Sequence, residues 1–355
     1  MPVLAPRLLR RGLELFAAIS LGGFVVLLFY GNNFEQFLGA MTSLHLVWFL
    51  AAVALASLDW FGGGLRIYVL ARHVYHRQSL KGAILAGGMT TWAGYLTPAQ
   101  AGSGPMMVYT LKRYGTPLPE AMVAALMSFV TTVVFFAVAG PVAVFFGAGR
   151  SLGQHGVIGD AVDLYDLFRL SLGAFVGVGL VTLGLILFPG VARRLVAALA
   201  VRFERRGKAS WVVRLRALEA GVDRAHQAVV RFASLKGWVA LAVAVVLSAT
   251  AHANKLLAGF VVLRMLGIHA PFVDVLLLQT LISFLLYFAP TPGGSGLAEL
   301  LSTLVMSIYL PKPLTPSYIL LWRLTVSYLT VGVGSVIFWR WLKGAETREA
   351  LLESA

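Results

Sequence analysis

The chain has no cysteine, and charge is scarce: Asp, Glu, Lys and Arg make up 12% of 355 residues. The first lack excludes a secreted disulfide scaffold. The second excludes a soluble globule, which carries roughly 25% charged residues. Acids are the scarcer sign, 15 against 29 Lys and Arg, for a net charge of +14. No Walker loop, nucleophile motif or metal-ligand spacing is present, so neither ATP hydrolysis, a metal nor another cofactor is expected. What fills the chain is apolar: 59% hydrophobic residues and a mean hydropathy of +0.82. Too little polar surface remains to cover a globule in water, so the chain reads as a polytopic membrane protein. In that setting the basic excess marks cytoplasmic loops facing anionic lipid, not a nucleic-acid partner.

Arg7, Arg10 and Arg11 precede an uncharged run from residue 15 to 34 that ends at Gly31-Asn32-Asn33. Such a run spans the hydrocarbon core and lacks the cleavage site of a signal peptide, so a retained helix with its N-terminus inside is expected. Further spans are expected at 44–70, 118–147, 170–192, 238–263 and 318–339. Two apolar stretches, 82–97 and 275–289, are too short to cross. They end at Pro98-Ala99-Gln100-Ala101-Gly102-Ser103-Gly104-Pro105 and at Pro290-Thr291-Pro292-Gly293-Gly294-Ser295-Gly296.

Charge decides how these two segments run. Between Arg193 and Lys236 lie 11 Lys and Arg and three acids, a net of +8; the loop with Asp160, Asp163 and Asp166 is acidic. If the short segments crossed fully, the basic linker would be external, against the positive-inside rule. If each dips in and returns, every basic loop falls inside and the acidic loop outside. The expected fold is an all-α polytopic membrane protein with six full spans plus two re-entrant broken hairpins and both termini cytoplasmic. The expected divisions are 1–43 (N-terminal helix and external loop), 44–148 (first repeat) and 149–192 (acidic loop and connecting span). They continue with 193–236 (basic amphipathic linker on the inner leaflet), 237–343 (second repeat) and 344–355 (cytoplasmic tail).

The hairpins repeat. Tyr95 to Gly104 aligns with Tyr287 to Gly296 at an offset of 192, with Tyr, Pro, Gly, Ser and Gly coincident. Because the first would enter from the cytoplasm and the second from outside, the pair forms an inverted-topology repeat, a signature of a midplane substrate site. Pro290, Gly294, Ser295 and Gly296, with Gly102, Ser103, Gly104 and Gln100, are therefore candidate substrate-path residues. Close helix packing is the alternative role for the glycines. Along a path, they would tolerate Ala or Ser for folding, while Gly294→Leu would block transport in a stable protein.

The run Pro290-Thr291-Pro292-Gly293-Gly294-Ser295-Gly296-Leu297-Ala298-Glu299, with Trp322-Arg323 in the last span, resembles the lysylphosphatidylglycerol synthetase membrane-domain family. That family includes the flippase portion of the bacterial multiple peptide resistance factor. The resemblance implies translocation of lipids with charged or sugar heads, in the cytoplasmic membrane of a prokaryote. The first half departs from the family pattern: Pro105-Met106-Met107 and Ser128-Phe129 stand where acidic residues and a Glu-Arg pair are common. Only 12 residues follow Lys343, so the family's lysine transfer is not expected.

Ionisable residues at bilayer depth are costly and mark paths or pairs. Glu299 faces the midplane in this reading, or caps the half-helix that begins beside it. Arg323 pairs with Glu299, binds a lipid phosphate, or snorkels to the outer interface. Asp59 and Lys255 are expected to form a buried ion pair between the repeats. His252 is a candidate proton carrier, with hydrogen-bonded packing as the other role. Asn254, like Gln100, is a candidate headgroup contact, and Arg66 is expected to snorkel at the inner end of its span.

These readings converge on a lipid translocase for an anionic phospholipid or a lipid-linked sugar, with membrane lipids as partners and oligomerisation open. A membrane enzyme using Glu299 as general acid or base, and a non-transporting scaffold for a glycosyltransferase, are the alternatives.

Overall fold

The structure, a computed structural model, describes residues 6–30, 34–146, 173, 176–177, 179–181, 184, 188–207, 211–213, 215, 226–227 and 230–353. The acidic loop with Asp163, and about half of the expected span at 170–192, lie outside the described residues. Among the described residues all regular structure is helical. The helices are α1 (Pro6–Tyr30), α2 (Phe34–Thr42), α3 (Leu46–Val74), α4 (Leu80–Tyr95), α5 (Ser103–Arg113) and α6 (Leu118–Phe145). They continue as α7 (Pro189–Glu204), α8 (Leu235–Met265), α9 (Phe272–Tyr287), α10 (Leu297–Met306), α11 (Thr315–Arg323) and α12 (Leu329–Glu353). A π-turn, Leu324–Tyr328, joins α11 to α12. The segment expected as an external loop after α1 is itself helical, as α2.

Stretches Leu9–Phe29, Leu46–Val74, Leu118–Ala143, Leu235–Met265 and Lys312–Gly344 are long and apolar enough to cross a membrane. Large apolar side chains cover their outer faces, Val26, Val138 and Val246 among them. Water would not tolerate so extensive an apolar exterior, whereas lipid tails match it. The chain is a polytopic helical membrane protein.

At the centre, α3 and α8 pack antiparallel along their length. The His45 N–H donates to Met265 O at one end, and the His73 ring meets Arg231 O at the other. Small residues permit the approach. A Cβ on Gly62 would come within 2.9 Å of the Thr250 backbone, and one on Gly64 within 2.4 Å of Ile84 Cα on α4. In a lipid environment such close backbone contact supplies the van der Waals packing that hydrophobic burial cannot.

Each short segment is a helix–turn–helix hairpin that returns to the end from which it started. In the first, Gly82 near the start of α4 lies against Tyr114 just past the end of α5. Ser79 accepts the Gly82 N–H at 2.8 Å, capping α4. In the second, the Tyr309 hydroxyl donates to Asp274 at 2.5 Å, closing the base of the α9–α10 hairpin. The two bases sit at opposite ends of α8: Tyr114 joins Trp341 and Arg113 at the basic end, whereas Phe272 meets Phe260 near the far end.

The offset of 192 holds for α4 and α9, 80–95 against 272–287, but not beyond them. Two residues separate α4 from its tip turn and four separate α9 from its own. The tip turns Pro98–Gln100 and Pro292–Gly294, like α5 and α10, therefore match at 194. Pro98 corresponds to Pro292, not Pro290, and Gly102 to Gly296.

Candidate functional site

The two tips touch. The N–H of Ala99 donates to the carbonyl of Ala289 at 3.0 Å. Both turns place their middle residues in the left-handed region: Ala99 at φ 47° and Gln100 at φ 55°, against Gly293 at φ 59° and Gly294 at φ 66°.

Behind the second tip lies a closed ion pair. Arg323 Nε is 2.8 Å from Glu299 Oε1 and Nη2 is 2.9 Å from Oε2, with the guanidinium side chain 1% exposed. A bidentate fork of this kind is the strong form of a carboxylate–guanidinium contact. Arg323 Nη1 also donates to Gly293 O at 3.1 Å, tying the pair to the tip. Glu299 accepts the Gly296 N–H at 2.8 Å, so it caps α10 as well. The expected pairing of Glu299 with Arg323 is formed, and the snorkelling alternative for Arg323 is not.

Helix α1 completes this cluster, which sequence reasoning did not anticipate. Ser20 donates to Glu299 Oε1 at 2.6 Å and shares a 2.7 Å hydrogen bond with Tyr328. Phe16 lies 6.0 Å beneath the Arg323 guanidinium. The π-turn that follows Arg323 is a feature frequent at functional sites and sets Tyr328 toward Ser20. A lone serine within the apolar run of α1 is the one signal that could have pointed here.

Asp59 and Lys255 do not form the expected ion pair at contact distance. Asp59 Oδ2 instead accepts from Thr330 at 2.8 Å and from Asn254 at 3.3 Å. Asn254 is fully buried and also donates to Val326 O at 3.3 Å. It serves the helix contact, not a headgroup. Lys255 Nζ stands 5.6 Å from the Tyr95 ring and 5.5 Å from the Tyr287 ring, a cation–π cradle made from matching residues of the two hairpins.

A cavity of about 630 Å³ opens on the first-hairpin side, bounded by α3, α4, α5, α6 and α8. Gln100, Ser103 and Gly104 line it, as do His252 and Lys255. So does Arg66, which was expected to snorkel but is 8% exposed. Its Nη1 donates to Thr132 at 2.7 Å and to Ser248 at 3.3 Å. The reason is directional: a helical side chain tilts toward the N-terminus of its helix, which carries the Arg66 head away from the nearby basic end. His252 holds both ring nitrogens in hydrogen bonds, to Ser248 O at 2.8 Å and to the Tyr287 hydroxyl at 2.9 Å. A carbonyl only accepts, so Nδ1 carries a proton, while the Tyr287 hydroxyl can donate to Nε2 or accept from it.

A second, smaller cavity of about 40 Å³ lies between the tips and is lined by Gly293, Gly294, Arg323 and Thr291. Gln100, Lys255 and Tyr287 line both cavities.

The remaining path candidates divide. Gly294 lines the small cavity, yet its positive φ disfavours any side chain and a Cβ would meet Leu286 at 2.9 Å. Ser295 is buried and closes its own turn by donating to Pro292 O at 2.8 Å. Pro290 and Gly296 are exposed and line neither of these two cavities. Gly102 has an ordinary φ of −75° but no space, since a Cβ would meet Ala93 O at 2.9 Å. Gly104 has open space around it.

The profile of the lysylphosphatidylglycerol synthase TM region matches residues 15–334. None of the curated proteins and none of the solved structures compared with the chain matches it. The family match covers all but the two ends of the chain, both hairpins included: the chain belongs to the lysylphosphatidylglycerol synthase TM-region family, membrane proteins of lipid modification or transport.

Proposed function

We propose that the protein is a lipid translocase that moves a lipid bearing an anionic or sugar head between leaflets by alternating access. The observation that carries this reading is the meeting of two broken hairpins, Ala99 against Ala289, at the inner limit of a large cavity whose wall includes Arg66, Gln100 and Lys255. A headgroup needs a protein-lined route while its tails stay in the bilayer, and irregular backbone at membrane depth is tolerated only where protein or a wet cavity surrounds it. The hairpins enter from opposite ends and match element for element, which supports an inverted-topology repeat with its substrate site at the repeat interface.

Orientation follows from charge. His73 meets Arg231, and Arg113 stacks 5.0 Å over Trp341, so the ends of α3, α5 and α12 gather with the start of α8 at one basic end. That end is cytoplasmic by the positive-inside rule, in the cytoplasmic membrane of a prokaryote. The 630 Å³ cavity is then the inward-facing vestibule, and the tip contact is the closed gate. The reading assigns the chain no chemistry on the lipid. Glu299, the carboxylate nearest the second tip, is engaged by Arg323, Ser20 and the Gly296 N–H, which leaves it poorly placed as a general acid or base.

The test is reconstitution of the full chain in proteoliposomes carrying tail-labelled phosphatidylglycerol. The expected result is transbilayer movement with the lipid recovered chemically unchanged. Recovery of an altered lipid, or no movement beyond protein-free vesicles, would overturn it.

A further inference from the structure

Resting on the translocase reading, we infer that the vestibule holds a specific oxyanion site, centred on Arg66, that selects lipids whose phosphodiester charge is not balanced by a headgroup cation.

Three buried polar atoms without a hydrogen-bond partner belong to residues on this one cavity: Arg66 Nε, Thr90 Oγ1 and Ser128 Oγ. Arg66 is more than nine-tenths buried. Its head is held by Thr132 and Ser248 through Nη1 alone. A guanidinium fixed at one corner with Nε unsatisfied is half of a fork, and such forks fit the paired oxygens of phosphate. A buried donor left unmade is costly, and a ligand that accepts from it removes that cost. Phosphate oxygens are acceptors only, and Arg Nε and the two hydroxyls can all donate.

The sign of the cavity then sets its selectivity. Among the described residues its charged lining residues are Arg66 and Lys255, and no Asp or Glu lines it. Asp59, the nearest acid on α3, turns to Thr330 and Asn254 instead, and Glu299 is sealed by Arg323. A lysylated headgroup would bring its ammonium groups against two cations with no carboxylate to receive them. The substrate class is an anionic phosphodiester lipid, such as phosphatidylglycerol without the aminoacyl group, and the family's name does not extend to the headgroup this chain accepts.

The experiment is equilibrium binding to the detergent-solubilised full chain, with short-chain phosphatidylglycerol, phosphatidylcholine, lysylphosphatidylglycerol and free glycerol 3-phosphate as separate probes. Phosphatidylglycerol is expected to bind at least tenfold more tightly than the other three. Arg66→Gln should lose most of that preference, and Arg66→Lys should keep part of it. Ser128→Ala, a change too small to unfold the helix, should weaken phosphatidylglycerol binding severalfold and serves if Arg66→Gln does not fold. Equal binding of the three lipids, or unchanged affinity in the folded variants, would overturn the site. Glycerol 3-phosphate binding as tightly as the lipid would overturn its assignment to lipid. Selective binding without translocation would count against the transport reading alone, and translocation without selectivity against this inference alone.

Discussion

The N–H of Ala99 points at the carbonyl of Ala289 across 3.0 Å, and this bond joins hairpins that begin at opposite ends of the molecule. The first tip reaches the contact at a conformational cost. Ala99 and Gln100 adopt positive φ where the second tip has Gly293 and Gly294. For a residue with a Cβ the left-handed region costs about 1–2 kcal/mol. Ala99→Gly removes that cost, offset in part by the backbone freedom of glycine. Thermal unfolding in detergent should show a gain of about 1 kcal/mol; a clear loss would mean that the Ala99 methyl makes a contact the tip needs.

The Glu299–Arg323 pair predicts non-additivity. Its side chains are 5% and 1% exposed. Removing one partner strands a buried charge, at a typical cost of about 3–5 kcal/mol. Glu299→Gln and Arg323→Gln should each lower stability by about that much, and the double variant should recover part of the loss. Transport should be abolished in all three, because the link from Arg323 to Gly293 O is gone or misplaced. Additive losses would mean the pair contributes nothing as a pair.

Two glycines separate packing from passage. At Gly294, positive φ and the Leu286 side chain leave no place for a larger residue. Gly294→Leu should therefore lower stability and transport together, contrary to the expectation that leucine would merely plug a stable protein. Gly104 is the position where that expectation belongs. It sits in the first turn of α5, lines the large cavity and has nothing near it. Gly104→Leu should still fold, since the preference of leucine over glycine in a helix, up to about 1 kcal/mol, offsets the crowding that a Cβ brings to helical backbone before Pro105, while transport falls. A stable and fully active Gly104→Leu protein would take α5 out of the path.

Both hairpins were legible in the sequence because each apolar run is short, is broken by Pro and Gly, and is flanked by loop charges that put its two ends on one side. The partner of Glu299 was legible too, as a second costly buried charge. Arg66 was not: a cation near the end of a span suits snorkelling equally well, and only the tilt of its side chain and the hydroxyls of Thr132 and Ser248 turn it inward. Ser20 and Tyr328 were hidden because α1 is separated from the second hairpin by most of the chain. The Asp59–Lys255 pairing failed for a related reason. Residues at similar heights on the antiparallel α3 and α8 need not touch, because neighbours decide contacts, and Thr330 on α12 reaches Asp59 first.

Orientation is open to cysteine labelling because the chain has no cysteine of its own. Arg205→Cys, on the exposed end of α7, should react only from the cytoplasmic side. Lys312→Cys, in the turn beside α2, and Asp163→Cys in the acidic loop should react only from outside. Cytoplasmic labelling of Lys312→Cys would invert the proposed arrangement of the second hairpin.

The gate itself gives the most direct measurement. A full chain carrying Ala99→Cys and Ala289→Cys, reconstituted in vesicles with tail-labelled phosphatidylglycerol, can be joined tip to tip by a short thiol-specific cross-linker that a reductant cleaves. Lipid should cross with the free thiols, stop once the tips are joined and resume after cleavage. Movement at an unchanged rate in the cross-linked protein would contradict a path that opens between the tips.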